Sequence, residues 1–135
     1  MTTTILIIDN HEEMRTILRR YYELLLPDAT IYEAQNGLEG LALATQHIPD
    51  LILLDGSMPI MNGGEAAPLL RQHPKTANIP IIGVSAEIGG SEIHAKLHQY
   101  CSAFVAKPAS LETIQTLTER FVDSAKNLFT DNANA

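Results

Sequence analysis

The sequence predicts a doubly wound α/β domain, a parallel sheet with helices on both faces. Three observations carry this. Short apolar runs alternate five times with longer segments of helical period. The run Leu51-Ile52-Leu53-Leu54 is apolar at every position, which suits a strand buried on both faces of a parallel sheet. That run ends abruptly on Asp55, and the turn Gly56-Ser57-Met58-Pro59 follows at once. In open sheets of this kind, chemistry gathers just beyond the carboxyl ends of the strands, so Asp55 is the first candidate for function.

Each element can be justified in order. Ile5-Leu6-Ile7-Ile8 is the first strand, and Met14, Ile17, Leu18, Tyr21 and Leu25 recur at helical spacing until Pro27-Asp28 closes that helix. Thr30-Ile31-Tyr32-Glu33-Ala34 is a more polar strand, suited to a sheet edge. After the Asn36-Gly37 turn, Leu38, Leu41, Ala42 and Ala44 line a second helix that ends before Ile48-Pro49-Asp50. The strand ending at Asp55 is the third. Beyond Asn62-Gly63 a third helix carries Leu69 and Leu70, with Pro68 expected in its first turn, because a deeper proline loses an N–H bond and kinks the helix. Pro80-Ile81-Ile82-Gly83-Val84-Ser85 is the fourth strand; a Gly89-Gly90 loop and a helix from Ser91 to Gln99 follow. Ala103-Phe104-Val105-Ala106 is the fifth strand, broken by Lys107-Pro108. Ser110 caps the last helix, which should bury Leu111, Ile114, Leu117, Phe121 and Val122. Residues 1–128 read as one domain and 129–135 as a polar, disordered tail.

Composition bounds the function. The chain has 135 residues, enough for one domain with a real core. A net charge of -7 leaves no basic stripe to displace counterions from phosphate, which argues against direct nucleic-acid binding and against an anionic membrane. No window approaches the ~18 apolar residues of a transmembrane helix, and Met1-Thr2-Thr3-Thr4 lacks the features of a signal peptide. The single Cys101 permits no internal disulfide, so a cytoplasmic setting is expected, with Cys101 a small buried apolar residue. Leu24-Leu25-Leu26 exceeds what one helix face can bury; a dimer or partner surface accounts for it, as does packing on two sides.

A parallel sheet brings the ends of its strands to one edge. Asp9 and Asn10 follow strand one, Asp55 ends strand three, Ser85 ends strand four and Lys107 follows strand five. Hard oxygen donors of this kind suit Mg²⁺, which favours one or two carboxylates together with waters and a phosphate. The hydroxyl and the ammonium are suited to hydrogen-bond a phosphoryl group on Asp55.

At these residues the chain resembles the response-regulator receiver domains of two-component signalling, over about residues 4 to 124. Ile8-Asp9-Asn10 is similar to the acidic pair after strand one, and Asp55-Gly56-Ser57-Met58-Pro59 with Ile60-Met61-Asn62-Gly63 to the phosphoacceptor loop. Ser85-Ala86, Phe104 and Lys107-Pro108 match the switch hydroxyl, the switch aromatic and the Lys-Pro pair. The resemblance implies a flavodoxin-like five-stranded sheet of order 2-1-3-4-5. It implies that Asp55 takes a phosphoryl group from a histidine kinase or phosphotransfer protein, with Mg²⁺ held by Asp9, Asn10, Asp55 and the backbone carbonyl of Ser57. Lys107 would contact the phosphoryl group, Ser85 would swing to it, and Phe104 would turn inward, switching a surface for an output partner. The Lys107-Pro108 bond is expected to be cis. The only catalysis implied is slow self-dephosphorylation, tuned by Ser57 and Glu87. Otherwise the protein is not an enzyme.

Departures from the family pattern sharpen this. Asn10 stands in place of a second acid, which removes a charge and predicts weaker Mg²⁺ affinity. Tyr100 stands where glycine is common, so the fourth helix should end differently. Asn62 replaces a frequent aspartate, a benign change in a turn. His11 reads as a loop residue tuning access to Asp55, and His94 and His98 as a solvated helix face. Phe104 divides evenly between a core residue and a switch. The alternative function is a receiver-like interaction module that works without phosphorylation, its metal site weakened. A flavodoxin would need a Ser/Thr/Gly-rich loop where Asp9-Asn10-His11-Glu12-Glu13 stands, and a haloacid-dehalogenase-type phosphatase would need an acid where Ser57 stands.

Overall fold

A computed structural model of the protein describes residues 2–86 and 91–122. The order is β1 (Thr4–Ile8), α1 (Glu12–Leu25), β2 (Thr30–Ala34), α2 (Gly37–His47), β3 (Leu51–Asp55), α3 (Gly63–Gln72), β4 (Ile81–Ser85), α4 (Glu92–Tyr100), β5 (Ala103–Ala106) and α5 (Leu111–Phe121). All pairings are parallel, and the sheet order is β2-β1-β3-β4-β5. This is the predicted fold.

Strand alternation divides the core in two. Ile5, Ile7, Leu51, Leu53, Ile82 and Val84 point to the side covered by α1 and α5. Leu6, Ile8, Ile52, Leu54 and Ile81 point to the side of α2, α3 and α4. With both faces covered, the central strands are apolar on either side up to their carboxyl ends. β2 is the more exposed strand, as an edge strand should be. On the first side the Tyr22 hydroxyl lies 2.8 Å from Thr118 Oγ1. Thr118 already donates to the Ile114 carbonyl, so Tyr22 is the donor, and burial raises its phenol above the ordinary range.

Several expectations are corrected here. α5 buries Ile114 and Thr118, and its cap Val122 is buried too, whereas Leu111, Leu117 and Phe121 are only partly buried against the core. The sequence pattern overlooked Thr118 because its hydroxyl, satisfied within the helix, makes it behave as a buried group. Pro68 lies six residues into α3, beyond the first turn, because Asn62 and Glu65 form a capping box that starts the helix at Gly63. Leu25 and Leu26 are both buried and Leu24 is 69% exposed, so the leucine run packs on two sides with one residue left over. Cys101 is half-buried; burial pushes its thiol up to about 12, against the charge of Arg71. The tail at 129–135, Glu87 and the Gly89-Gly90 loop fall outside the described residues.

α4 does end differently. Its cap, Cys101, has extended backbone at φ -84°, with no left-handed residue. The terminal carbonyls of a helix need donors. Here Arg71 Nε donates to the Tyr100 carbonyl at 2.9 Å, while its Nη1 binds the carbonyls of Ala77 and Ile79. A guanidinium from α3 thus does the work that a glycine cap does elsewhere.

Candidate phosphoacceptor site

The carboxyl edge of the sheet gathers the predicted residues. Asp9 directly follows β1, Asp55 ends β3, Ser85 ends β4 and Lys107 directly follows β5. Asp9, Asp55 and Ser85 are 1%, 3% and 1% exposed. Lys107 Nζ lies 2.8 Å from Asp9 Oδ2 and 3.1 Å from Asp55 Oδ1. One ammonium therefore faces two buried carboxylates, and the three come from strands far apart in sequence. The Lys107-Pro108 peptide is cis, as expected, and the Lys107 N–H donates to the Ser85 carbonyl at 3.0 Å.

Charge and burial set the ionisation of this group. Asp55 is pushed up to about 6, first by burial and then by the nearby charge of Asp9, with Lys107 pulling the other way. Lys107 is held above its ordinary value. Burial works against its charge, but its contacts with Asp9 and Asp55 outweigh that penalty.

Three oxygens at this edge are short of hydrogen-bond partners. Asp55 Oδ2 and Asn10 Oδ1 are buried with no hydrogen-bond partner, and Asp9 Oδ2 has none apart from its ion pair with Lys107. Leaving buried acceptors unmet is costly, so such oxygens mark a place for water, an ion or a ligand. Two carboxylates and an amide form a hard oxygen set that fits Mg²⁺. One donor atom each from Asp9, His11 and Asp55 lies within 4.8 Å of the others. Ser57 is exposed in the loop two residues beyond Asp55.

The loop carrying Asp55 is closed by Gly63, whose N–H donates to the Gly56 carbonyl at 2.8 Å. A Cβ at Gly63 would stand 2.2 Å from the Asp55 carbonyl oxygen, a contact with backbone that no rotamer relieves. Gly63→Ala is expected to cost about 1–3 kcal/mol in urea denaturation. A loss below about 0.5 kcal/mol would contradict this close approach.

Sequence reasoning missed one positioning residue. Arg15, on α1, donates from Nη1 to the Asp9 carbonyl at 2.7 Å and pairs with Glu33 through Nε at 3.1 Å. Nothing in the helical pattern distinguishes it from Arg19, which pairs with the same Glu33. The solvated reading holds for His98, which is exposed, and changes for His94, which is half-buried. Phe104 is half-buried; the His98 ring stacks on it at a centroid distance of 4.4 Å, and the His94 ring lies tilted against it at 4.7 Å. Spacing of i and i+4 on α4 places both imidazoles over the same aromatic.

Comparison with known proteins agrees with this geometry. Residues 5–119 match the response regulator receiver domain family. The polar-differentiation response regulator DivK of Brucella ovis is 30% identical over 134 residues, covering 97% of this chain and 99% of its own. The sensor histidine kinase CheAY of Helicobacter pylori is 32% identical over 120 residues, but the chain spans only 15% of that protein's length. It likewise spans 10% of the histidine kinase P4 of Formosa agariphila. Among solved structures, the receiver domain of a sensor histidine kinase from Pseudomonas aeruginosa, with a magnesium ion coordinated in its active-site cleft, has a TM-score of 0.82 at 20% identity, covering 91% of this chain and 99% of that one. The chemotaxis protein CheY4 of Vibrio cholerae has a TM-score of 0.79 at 22% identity, covering 90% and 100%. No helix among the described residues is long and apolar enough to cross a membrane. With the motifs, the fold and the acidic pocket in agreement, the chain belongs to the response regulator receiver domain family of two-component signalling.

Proposed function

We propose that this protein is a phosphorylation-controlled switch in a two-component phosphorelay, with Asp55 as the phosphoacceptor. The observation that carries this is the unpartnered, buried Asp55 Oδ2 beside an ammonium held by Asp55 Oδ1 and Asp9. One Asp55 oxygen attacks the phosphorus of a phosphohistidine, and the leaving imidazole takes the electron pair of the broken P–N bond. Asp9, Asp55, the Asn10 amide oxygen and the Ser57 carbonyl would hold Mg²⁺, which neutralises charge on the transferred group. Lys107 would contact that group, and Ser85 lies across the loop, its Oγ 3.1 Å from where a Cβ on Gly56 would be. Movement of Ser85 toward a phosphoryl group would open space for Phe104 and alter the α4–β5 surface offered to an output partner. The receiver unit runs over 1–128, and apart from slow self-dephosphorylation it performs no catalysis.

Incubation with acetyl phosphate and Mg²⁺ is expected to add one phosphoryl group by intact mass to the wild-type protein and none to Asp55→Asn. An unchanged wild-type mass would contradict the proposal. Asn10 favours the second reading, a phosphorylation-independent interaction module, because it leaves the metal one acid short. On the leading reading that substitution only weakens the ion. Asn10→Asp is then expected to tighten Mg²⁺ binding by roughly tenfold, about 1.4 kcal/mol, in a calorimetric titration. Equal affinities would remove Asn10 as the cause of any weakness.

A further inference from the structure

His11 occupies an unusual place. It is the N-cap residue of α1, where serine, threonine, aspartate or asparagine normally supplies a side-chain oxygen. Its side chain makes no capping bond. Instead its N–H donates to Asp9 Oδ1 at 2.8 Å, and its ring Nδ1 lies 3.2 Å from the same oxygen. That tight turn fixes the imidazole at the rim of the carboxylate pair. The side chain is 63% exposed, so the ring stands on the solvent side of the pair.

We propose that His11 is a further protein ligand of this centre and shifts its preference from Mg²⁺ toward borderline divalent ions such as Co²⁺ and Zn²⁺. The proposal rests on reading the Asp9–Asp55 edge as a cation site and adds to it a nitrogen donor. One ring nitrogen of His11 and one oxygen each of Asp9 and Asp55 lie within 4.8 Å of one another, a spread that a modest closure around one ion with bonds of about 2.1 Å would bridge. Independently, Asp55 Oδ2 belongs to a side chain almost wholly buried and has no partner. Mg²⁺ takes oxygen and water and gains little from an imidazole, whereas imidazole suits the later first-row ions. Replacing a carboxylate by Asn10 weakens the hard, charge-driven part of the site, so the imidazole becomes the larger share of what remains. An imidazole added to these oxygen donors makes a mixed set more selective for those ions than an all-oxygen site.

The five histidines can be followed separately by NMR of their ring nitrogens during Zn²⁺ titration. The amides of Asn10 and Gly56 report on Zn²⁺ and Mg²⁺ at the carboxylates. The His11 ring is expected to shift with the same affinity as those amides. His11→Ala should weaken Zn²⁺ by roughly tenfold or more while leaving Mg²⁺ within about twofold, and His11→Gln should behave like His11→Ala. Zn²⁺ shifts confined to His94 and His98, or equal losses of Zn²⁺ and Mg²⁺ affinity in His11→Ala, would overturn the proposal. Asp9→Asn separates the underlying reading from this one. If it leaves both ions bound as in wild type, the carboxylate edge is not the cation site and both fail. If it weakens both ions while His11→Ala changes neither, only the role of His11 is lost.

Discussion

Asp55→Asn is expected to melt higher than the wild-type protein at pH 8 in the presence of a chelator. The wild-type carboxylate is buried beside Asp9, and its ionisation is pushed from 3.8 up to about 6. The folded protein therefore keeps this proton over a range where the unfolded chain has released it. Stability falls as pH rises across that window and then stays level, because a stability slope follows the difference in bound protons. A displacement of this size corresponds to about 2–3 kcal/mol. The amide keeps the shape and removes the charge, so the variant should gain roughly 5–10 °C at pH 8, and the gain should shrink toward zero near pH 4. Adding Mg²⁺ should narrow the gap by stabilising the wild-type carboxylates alone. A variant less stable than wild type at pH 8 would show that Lys107 compensates Asp55 fully.

Lys107→Ala should do the opposite. It leaves the carboxylates of Asp9 and Asp55, 1% and 3% exposed, without their shared ammonium. Breaking a buried ion pair from one side costs about 3–5 kcal/mol. The loss should be largest at pH 8, where both acids are charged, and smaller at pH 5, where Asp55 already holds a proton and Lys107 faces one charged acid. Urea denaturation at the two pH values checks this, and Mg²⁺ should restore part of the stability at pH 8. A pH-independent loss would indicate that burial of the lysine stem matters more than its charge.

Both predictions depend on groups that the sequence already brought forward, and the reason is topological. In a parallel sheet every strand ends on the same edge, so an acid after β1, an acid ending β3 and a lysine after β5 must meet if the strand order is right. Periodicity alone gives the strands, and the all-apolar run before Asp55 gives the two-sided burial. What could not be read were contacts between side chains on different elements. Arg71 satisfying the Tyr100 carbonyl, Arg15 holding the Asp9 carbonyl and Thr118 accepting from Tyr22 depend on helix rotation and on long flexible reach. Helical spacing showed that His94 and His98 share a face, but it could not show that Phe104 lies beneath them. His11 was placed beside the acids, yet only the turn that folds its ring back to Asp9 distinguishes a ligand from a loop residue.

The most direct test of Asp55 as the phosphoacceptor is to locate the modified residue chemically. Protein treated with acetyl phosphate and Mg²⁺ is reduced with borohydride, which converts an aspartyl phosphate to homoserine, and is then mapped by peptide mass spectrometry. Homoserine at position 55 alone, absent when Mg²⁺ is removed, is the expected result. Reduction at any other residue, or none at all, would contradict Asp55 as the phosphoacceptor of this switch.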